Sequence, residues 1–251
     1  MQRYFISEKK ENLTSRITIT GDDVHHISRV MRMKPGSKLI CCTSDGQAAL
    51  CEIEEVNDET AVCMIIDWQT ADYELPVSVT IASGLPKGDK LEWILQKGTE
   101  LGAASFIPFN AARSVVKLDA KKAVKKVERW RKIVKEASEQ SYRNRIPEVA
   151  EPYSWKELII ASASYDVKIV AYEESAKNGE LANLAKALNE SHSGQTILVV
   201  FGPEGGLTEE EIKQLKDAGF TACGLGPRIL RTETAPLYVL SAVSYYFELS
   251  R

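Results

Sequence analysis

Gly202-Pro203-Glu204-Gly205-Gly206 and, about twenty residues on, Gly226-Pro227-Arg228-Ile229-Leu230-Arg231-Thr232-Glu233-Thr234-Ala235 decide the fold of this 251-residue chain. Each loop follows a short apolar run, Thr196 to Phe201 and Phe220 to Leu225, with the length and side chains of a buried strand. Each leads into a helix signal. Thr208 and Glu211 have the spacing of a capping box, Ile212 and Leu215 start an apolar face, and Gly219 is placed as a stop. Pro236 suits a first helical turn, and Leu237, Leu240, Val243 and Phe247 follow at three- and four-residue steps. If the two strands are parallel, both loops open at one edge of the sheet, where open α/β sheets bind ligands.

The alternation continues upstream. Val77 to Ala82 reads as a strand, Gly84 to Lys90 as a turn, and Asp89 with Glu92 as a second capping-box pair. Leu91, Ile94, Leu95 and Leu101 give the following helix a buried face, closed by Gly102. Ser105 to Phe109 is the next strand. From Asp119 to Ser141, Ala123, Val127, Trp130, Val134 and Ala137 recur at helical steps, while Lys121, Lys122, Lys125, Lys126, Arg129 and Lys132 fill the other faces. Val167 to Tyr172 is a further strand, ending in Glu173-Glu174, and a polar helical stretch lies around Leu181, Leu184 and Leu188. Strand and helix alternating in this way predict an α/β fold, a mostly parallel sheet with helices on both sides.

Residues 1–72 differ. Ser15–Thr20, Ser37–Thr43, Gln47–Glu54 and Thr60–Ile66 read as short strands between turns, which predicts a compact β domain joined by a connector over residues 70–76. Asp22 to Lys34 interrupts them with Val24, Ile27, Val30 and Met31 at helical spacing. His25, Arg29, Arg32 and Lys34 stand on its other faces, a set suited to phosphate contacts.

Composition excludes some classes. No run of eighteen apolar residues exists, and the N-terminus lacks the apolar core of a secretory signal, so a cytoplasmic location is expected. Five cysteines without C-x-x-C spacing argue against a disulfide framework and a zinc site, and three scattered histidines against any other metal. Net charge is −3, but residues 113–145 carry twelve Lys/Arg against four Asp/Glu, a local excess suited to an anionic partner.

The glycine loops fail two tests. No G-x-x-x-x-G-K-[ST] occurs, and no G-x-G-x-x-G, so neither a P-loop nor a dinucleotide fingerprint is present. Glu204 sits where a phosphate binder would want no carboxylate, which favours a ligand neutral or cationic at that contact; S-adenosylmethionine fits. Arg228, Arg231, Thr232, Glu233 and Thr234 add dense hydrogen-bonding side chains beside the glycine backbone, the makeup of a pocket.

The paired loops, together with Lys90-Leu91-Glu92, Gln96 to Gly102, Trp130 to Arg143 and His25 to Arg32, resemble the RsmE family of 16S ribosomal RNA uridine N3-methyltransferases in the SPOUT superfamily. The resemblance covers nearly the whole chain. Gly98 stands where the family often has alanine, a departure expected to touch only helix stability. The resemblance implies a PUA-like RNA-binding β-barrel over residues 1–72 and a SPOUT methyltransferase domain with a trefoil-knotted parallel sheet over residues 73–251. It implies a homodimer acting on 16S rRNA, most naturally within the 30S subunit, with S-adenosylmethionine as cofactor and no metal. Tyr172, Glu173, Gly202, Pro203, Glu204, Gly205, Gly206, Leu225, Gly226, Ile229, Leu230, Arg231, Thr234 and Ala235 would hold the cofactor. Arg231 and Glu233 would serve catalysis, and His25, Arg29, Arg32, Lys34, Lys87, Lys90, Arg113 and Arg143 would contact RNA. Loop chemistry alone leaves open a SPOUT enzyme with another RNA target and a non-catalytic RNA-binding protein of the same fold.

Overall fold

The computed structural model describes residues 1–116, 120–174 and 182–250. Asp119 and Leu181, and the side chains of Lys121 and Lys122, lie outside the described residues. The chain forms two compact units: Met1–Glu74 with Ser138–Ile146, and Leu75–Ala137 with Pro147–Arg251.

The first unit is built on β1 (Arg3–Phe5), β2 (Arg16–Thr20), β3 (Lys38–Cys42), β4 (Ala48–Val56) and β5 (Thr60–Gln69), in the order β1-β3-β4-β5-β2. β1 and β3 are parallel and the other pairs antiparallel. Alternation sets the inner face: Ile17 and Ile19 of β2 are buried between exposed neighbours, and they meet Tyr4, Leu39, Ile53 and the thiols of Cys41, Cys51 and Cys63. The β4–β5 register shifts twice, at Leu50/Cys51 and Ile53/Glu55, irregularities of the kind that bend a sheet. The result is a curled, PUA-like β domain. β1 has no counterpart in the sequence reading, because three residues are too few for a period to show.

The Asp22–Lys34 helix is shorter than its spacing predicts. α1 spans Asp22–His25, a wider turn follows over His26–Val30 with Met31 N–H donating to the His26 carbonyl at 2.8 Å, and Arg32 takes a left-handed φ of 51°. Val24 and Ile27 are buried as expected, but Val30 and Met31 are exposed, 59% and 40%. A five-residue step turns later positions away from the face that a 3.6-residue period assigns them.

In the same unit Arg143 is buried, with only 3% of its side chain exposed, and is ion-paired to Glu74. Glu74 also accepts the backbone N–H groups of Asn144 (3.1 Å) and Arg145 (3.2 Å), and Arg3 donates to Asn144 Oδ1 at 2.6 Å. Glu74, read from composition as connector, is thus a structural anchor.

The second unit holds β6 (Ser78–Gly84), β7 (Ser105–Phe109), β8 (Glu148–Val149), β9 (Val167–Ala171), β10 (Thr196–Phe201) and β11 (Thr221–Cys223), all parallel, in the order β11-β9-β10-β6-β7-β8. Its described helices are α2 (Lys90–Glu100), α3 (Ala120–Gln140, whose end from Ser138 falls in the first unit), α4 (Trp155–Ala161), α5 (Asn183–Glu190), α6 (Glu209–Asp217) and α7 (Thr234–Ser244). β10 explains the layering. Ile197, Val199 and Phe201 join one core with residues of α2, α3 and α7, while Leu198 and Val200 join the other with Leu158 of α4 and Ile212 and Leu215 of α6. A strand buried on both faces reads as a continuous apolar run, as this one does.

The two capping-box spacings behave differently. Thr208 and Glu211 form theirs in full, with Glu211 N–H donating to Thr208 Oγ1 at 3.2 Å and Thr208 N–H to Glu211 Oε2 at 2.7 Å. Asp89 makes no cap bond: its backbone (φ −95°, ψ 11°) is outside the extended conformation a cap uses, and Glu92 instead accepts from Arg129 at 2.7 Å. Among the described residues no helix is long and apolar enough to cross a membrane.

Candidate functional site

β9, β10 and β11 end at one edge of the sheet, and the loops that leave them surround a cavity of about 790 Å³ within the second unit. That lies in the range of about 300–1,000 Å³ usual for small-molecule sites. The loops are joined at their bases. Tyr172 N–H, just past β9, donates to the Cys223 carbonyl of β11 at 3.0 Å. Gly206 N–H closes the Gly202–Gly206 turn on the Pro203 carbonyl at 2.8 Å. The Arg231 carbonyl accepts from Thr234 and Ala235 N–H (2.9 and 3.0 Å) and so starts α7.

The middle loop is packed closely against its own backbone at its first glycine. A Cβ on Gly202 would stand 3.0 Å from the Gly206 carbonyl carbon and the Leu207 nitrogen. Gly84, at the end of β6, lies under the same loop: a Cβ there would meet Pro203 Cδ at 2.6 Å and its nitrogen at 2.9 Å. Only glycine lets backbone approach backbone this tightly.

Two cations brace this loop. Arg113 donates through Nη1 to the Gly205 carbonyl at 3.0 Å and the Leu207 carbonyl at 3.5 Å. Lys90 Nζ bonds Glu204 Oε1 at 2.8 Å, and Lys87 N–H donates to the same oxygen at 3.1 Å. Lys90 Nζ also lies 3.7 Å from Glu233 Oε2, a buried oxygen that has no hydrogen-bond partner among the described residues. Burial opposes ionisation of Glu204, but the bonds from Lys90 and from backbone N–H groups outweigh it and hold the carboxyl below its usual range. The bond to Glu204 raises Lys90 above the usual lysine value, with the nearby Arg231 acting against it.

The lining contains all of the residues expected to hold a cofactor except Thr234, which stands beyond it at the start of α7. Arg231 lines the cavity, whereas Glu233 reaches it through Lys90. Glu204 is engaged by Lys90 and does not present a bare carboxylate, so the electrostatic reading of that residue is corrected. Glu173, Glu174 and Glu209 line the cavity as well. Ile229, 74% exposed, is an apolar side chain at the mouth that a ligand would cover.

The residues expected to contact RNA separate into three groups. His25, Arg29, Arg32 and Lys34 are exposed around the turn after α1, with Arg29 bonded to Asp58 at 2.6 Å, and Lys87 is exposed beside the pocket loop. Lys90 and Arg113 line the cavity and are occupied in holding it. Arg143 is corrected outright: its buried guanidinium is engaged by Glu74, and a phosphate could take it only by breaking that pair. The bracing role of Lys90 and Arg113 escaped the sequence, since each reaches a loop some ninety or more residues away.

Comparison with known proteins gives the same picture. Residues 73–244 match the RNA methyltransferase domain family and residues 19–66 the RNA methyltransferase PUA domain family. The ribosomal RNA small subunit methyltransferase E of Bacillus subtilis is 56% identical over 253 residues, covering 100% of this chain and 99% of that protein. A Neisseria gonorrhoeae ribosomal RNA small subunit methyltransferase E solved with S-adenosylmethionine is 31% identical, with a TM-score of 0.85 and 98% of each chain covered. A Legionella pneumophila structure holding the same cofactor is 27% identical, with a TM-score of 0.81 over 96% of each chain. A PUA-like domain and a parallel α/β domain are thus matched along nearly the whole length, and this chain belongs to the ribosomal RNA small subunit methyltransferase E family.

Proposed function

We propose that the chain transfers a methyl group from S-adenosylmethionine to N3 of a uridine in small-subunit (16S) rRNA. The observation that carries this reading is the three-loop cavity, with Arg231 in its lining and the Glu233 carboxylate beside it. The residues fit the cofactor. Pro203, Leu225, Ile229 and Leu230 offer apolar contact to an adenosine, and the glycine loop offers close backbone. Bound there, S-adenosylmethionine supplies a methyl group on a sulfonium, whose bonding electron pair leaves with sulfur. Orientation is then most of what the protein must add on that side.

The base poses the harder problem, because N3 of neutral uridine carries a proton. The Glu233 carboxylate is assigned to take it: Oε2 has no hydrogen-bond partner among the described residues, and because it is buried the loop after β11 must shift for N3 to reach it. Arg231 stabilises negative charge developing on the uracil oxygens. His25, Arg29, Arg32, Lys34 and Lys87 supply phosphate contacts, which make RNA affinity fall steeply with salt. The reading also includes a PUA-like domain over residues 1–72, a trefoil knot in the domain of residues 73–251, a homodimer, a cytoplasmic setting and the 30S subunit as substrate.

Nucleoside mass spectrometry of 30S subunits incubated with the protein and S-adenosylmethionine tests the reaction. One added N3-methyluridine is the expected product; any other methylated nucleoside, or none, contradicts it.

A further inference from the structure

Lys90 opens α2, yet its ammonium is bonded to a carboxylate 114 residues away at 2.8 Å and stands 3.7 Å from a second one, Glu233 Oε2. Glu204 belongs to the loop after β10 and Glu233 to the loop after β11, so one side chain from the segment after β6 ties together two of the three walls of the cavity. The charges around it are Glu204, Glu233 and Arg231. Without the ammonium, two carboxylates would share one site with no cation between them, and the loops would separate to rehydrate them. A phosphate contact would require Lys90 to leave Glu204, whereas Lys87 is exposed and needs no such release.

We propose that Lys90 is a positioning residue for methyl transfer: it clamps the Gly202–Gly206 loop onto the cofactor and fixes the Glu233 carboxylate beside the cavity, and it does not bind RNA phosphate. The inference rests on the pocket being the methyl-donor site. It concerns two substitutions, Lys90→Met and Lys90→Arg, measured for S-adenosylmethionine affinity by calorimetry, for kcat and KM on 30S subunits, and for the salt dependence of RNA binding.

Lys90→Met should weaken the cofactor by about 10- to 100-fold, the worth of a charge-assisted hydrogen bond, and lower kcat. Its salt slope for RNA binding should equal that of the wild type. Lys90→Arg, which keeps a cation between the two carboxylates, should recover most of both losses. Loss of a phosphate contact would instead lower the slope by about one with cofactor affinity unchanged, and that result overturns the proposal. Glu204→Gln combined with Lys90→Met guards against a variant that merely folds badly. The pair effect should fall well short of the sum of the single effects, because both changes break one bond; full additivity overturns the clamp. Failure of the wild type to bind S-adenosylmethionine removes the reading of the pocket and the clamp with it, whereas wild-type binding with an unaltered Lys90→Met variant removes only the role of Lys90.

Discussion

Alanine at position 98 would gain roughly 0.8–1.0 kcal/mol of helix propensity over glycine, yet its Cβ would lie 2.8 Å from Phe106 Cε1 and 2.9 Å from Cζ. Overpacking a core costs about 1–3 kcal/mol, so packing wins. Gly98→Ala should lower stability in chemical denaturation, and Gly98→Ala with Phe106→Leu should recover it. Position 98 was expected to touch only helix stability, and the ring of Phe106 shows why that expectation fails. Gly84→Ala meets backbone as well as side chain, at 2.9 Å from the Pro203 nitrogen. It should lower both the melting temperature and S-adenosylmethionine affinity by displacing the Gly202–Gly206 loop. At this scale the sequence shows which residue types gather near the loops but not what each touches. Lys90, Arg113 and Arg143 read alike as cations available to phosphate. Only the fold reveals that one joins two loops, one holds backbone carbonyls and one is buried on Glu74.

Capping boxes make the same point for whole elements. Thr208–Glu211 and Asp89–Glu92 are equivalent as patterns, but only the first forms. Thr208→Ala should therefore cost about 1 kcal/mol in thermal or denaturant unfolding, while Asp89→Ala should stay within about 0.5 kcal/mol, as an ordinary surface change does. Glu211 has a second duty, since its Oε1 accepts Ala112 N–H at 2.8 Å. Most strands and helices of the second unit were legible because continuous apolar runs and the 3.6-residue period are local properties of the chain, whereas β8 and α4 had no counterpart in the sequence reading. β1 and the wide turn after α1 were not, because one is shorter than a period and the other departs from it. Asp166 links two elements. It accepts from Thr196 N–H and Oγ1, both at 2.8 Å, tying the entries of β9 and β10. The backbone bond first, then the hydroxyl bond, holds its carboxyl below the ordinary 3.8. Its stabilisation is therefore complete above that value and lost as pH falls through the lower folded one. Asp166→Asn should flatten the acid limb of melting temperature against pH below about 3.8.

At the scale of the molecule, the chain does not divide at a single point. Ser138–Ile146 belongs to the first compact unit although it follows the opening strands and helices of the second. Periodicity cannot show such a return, because it carries no information about contacts between distant segments. The buried Arg143–Glu74 pair is its anchor, and removing one partner of a buried pair costs about 3–5 kcal/mol. Arg143→Met should destabilise the first unit by that order in hydrogen exchange or denaturant unfolding. A fragment ending at Glu74, without residues 138–146, should be less stable than the same residues in the full chain. The family relationship extends over both units, and the division of labour proposed above is that the β domain grips RNA while the parallel α/β domain holds the methyl donor.

Hydrogen exchange with and without S-adenosylmethionine tests that placement most directly. Protection should appear in peptides covering residues 171–174, 202–207 and 225–235, the three loops of the cavity, with no change across β3–β5 of the first unit. Protection confined to the first unit, or absent from all three loops at saturating cofactor, would contradict the account.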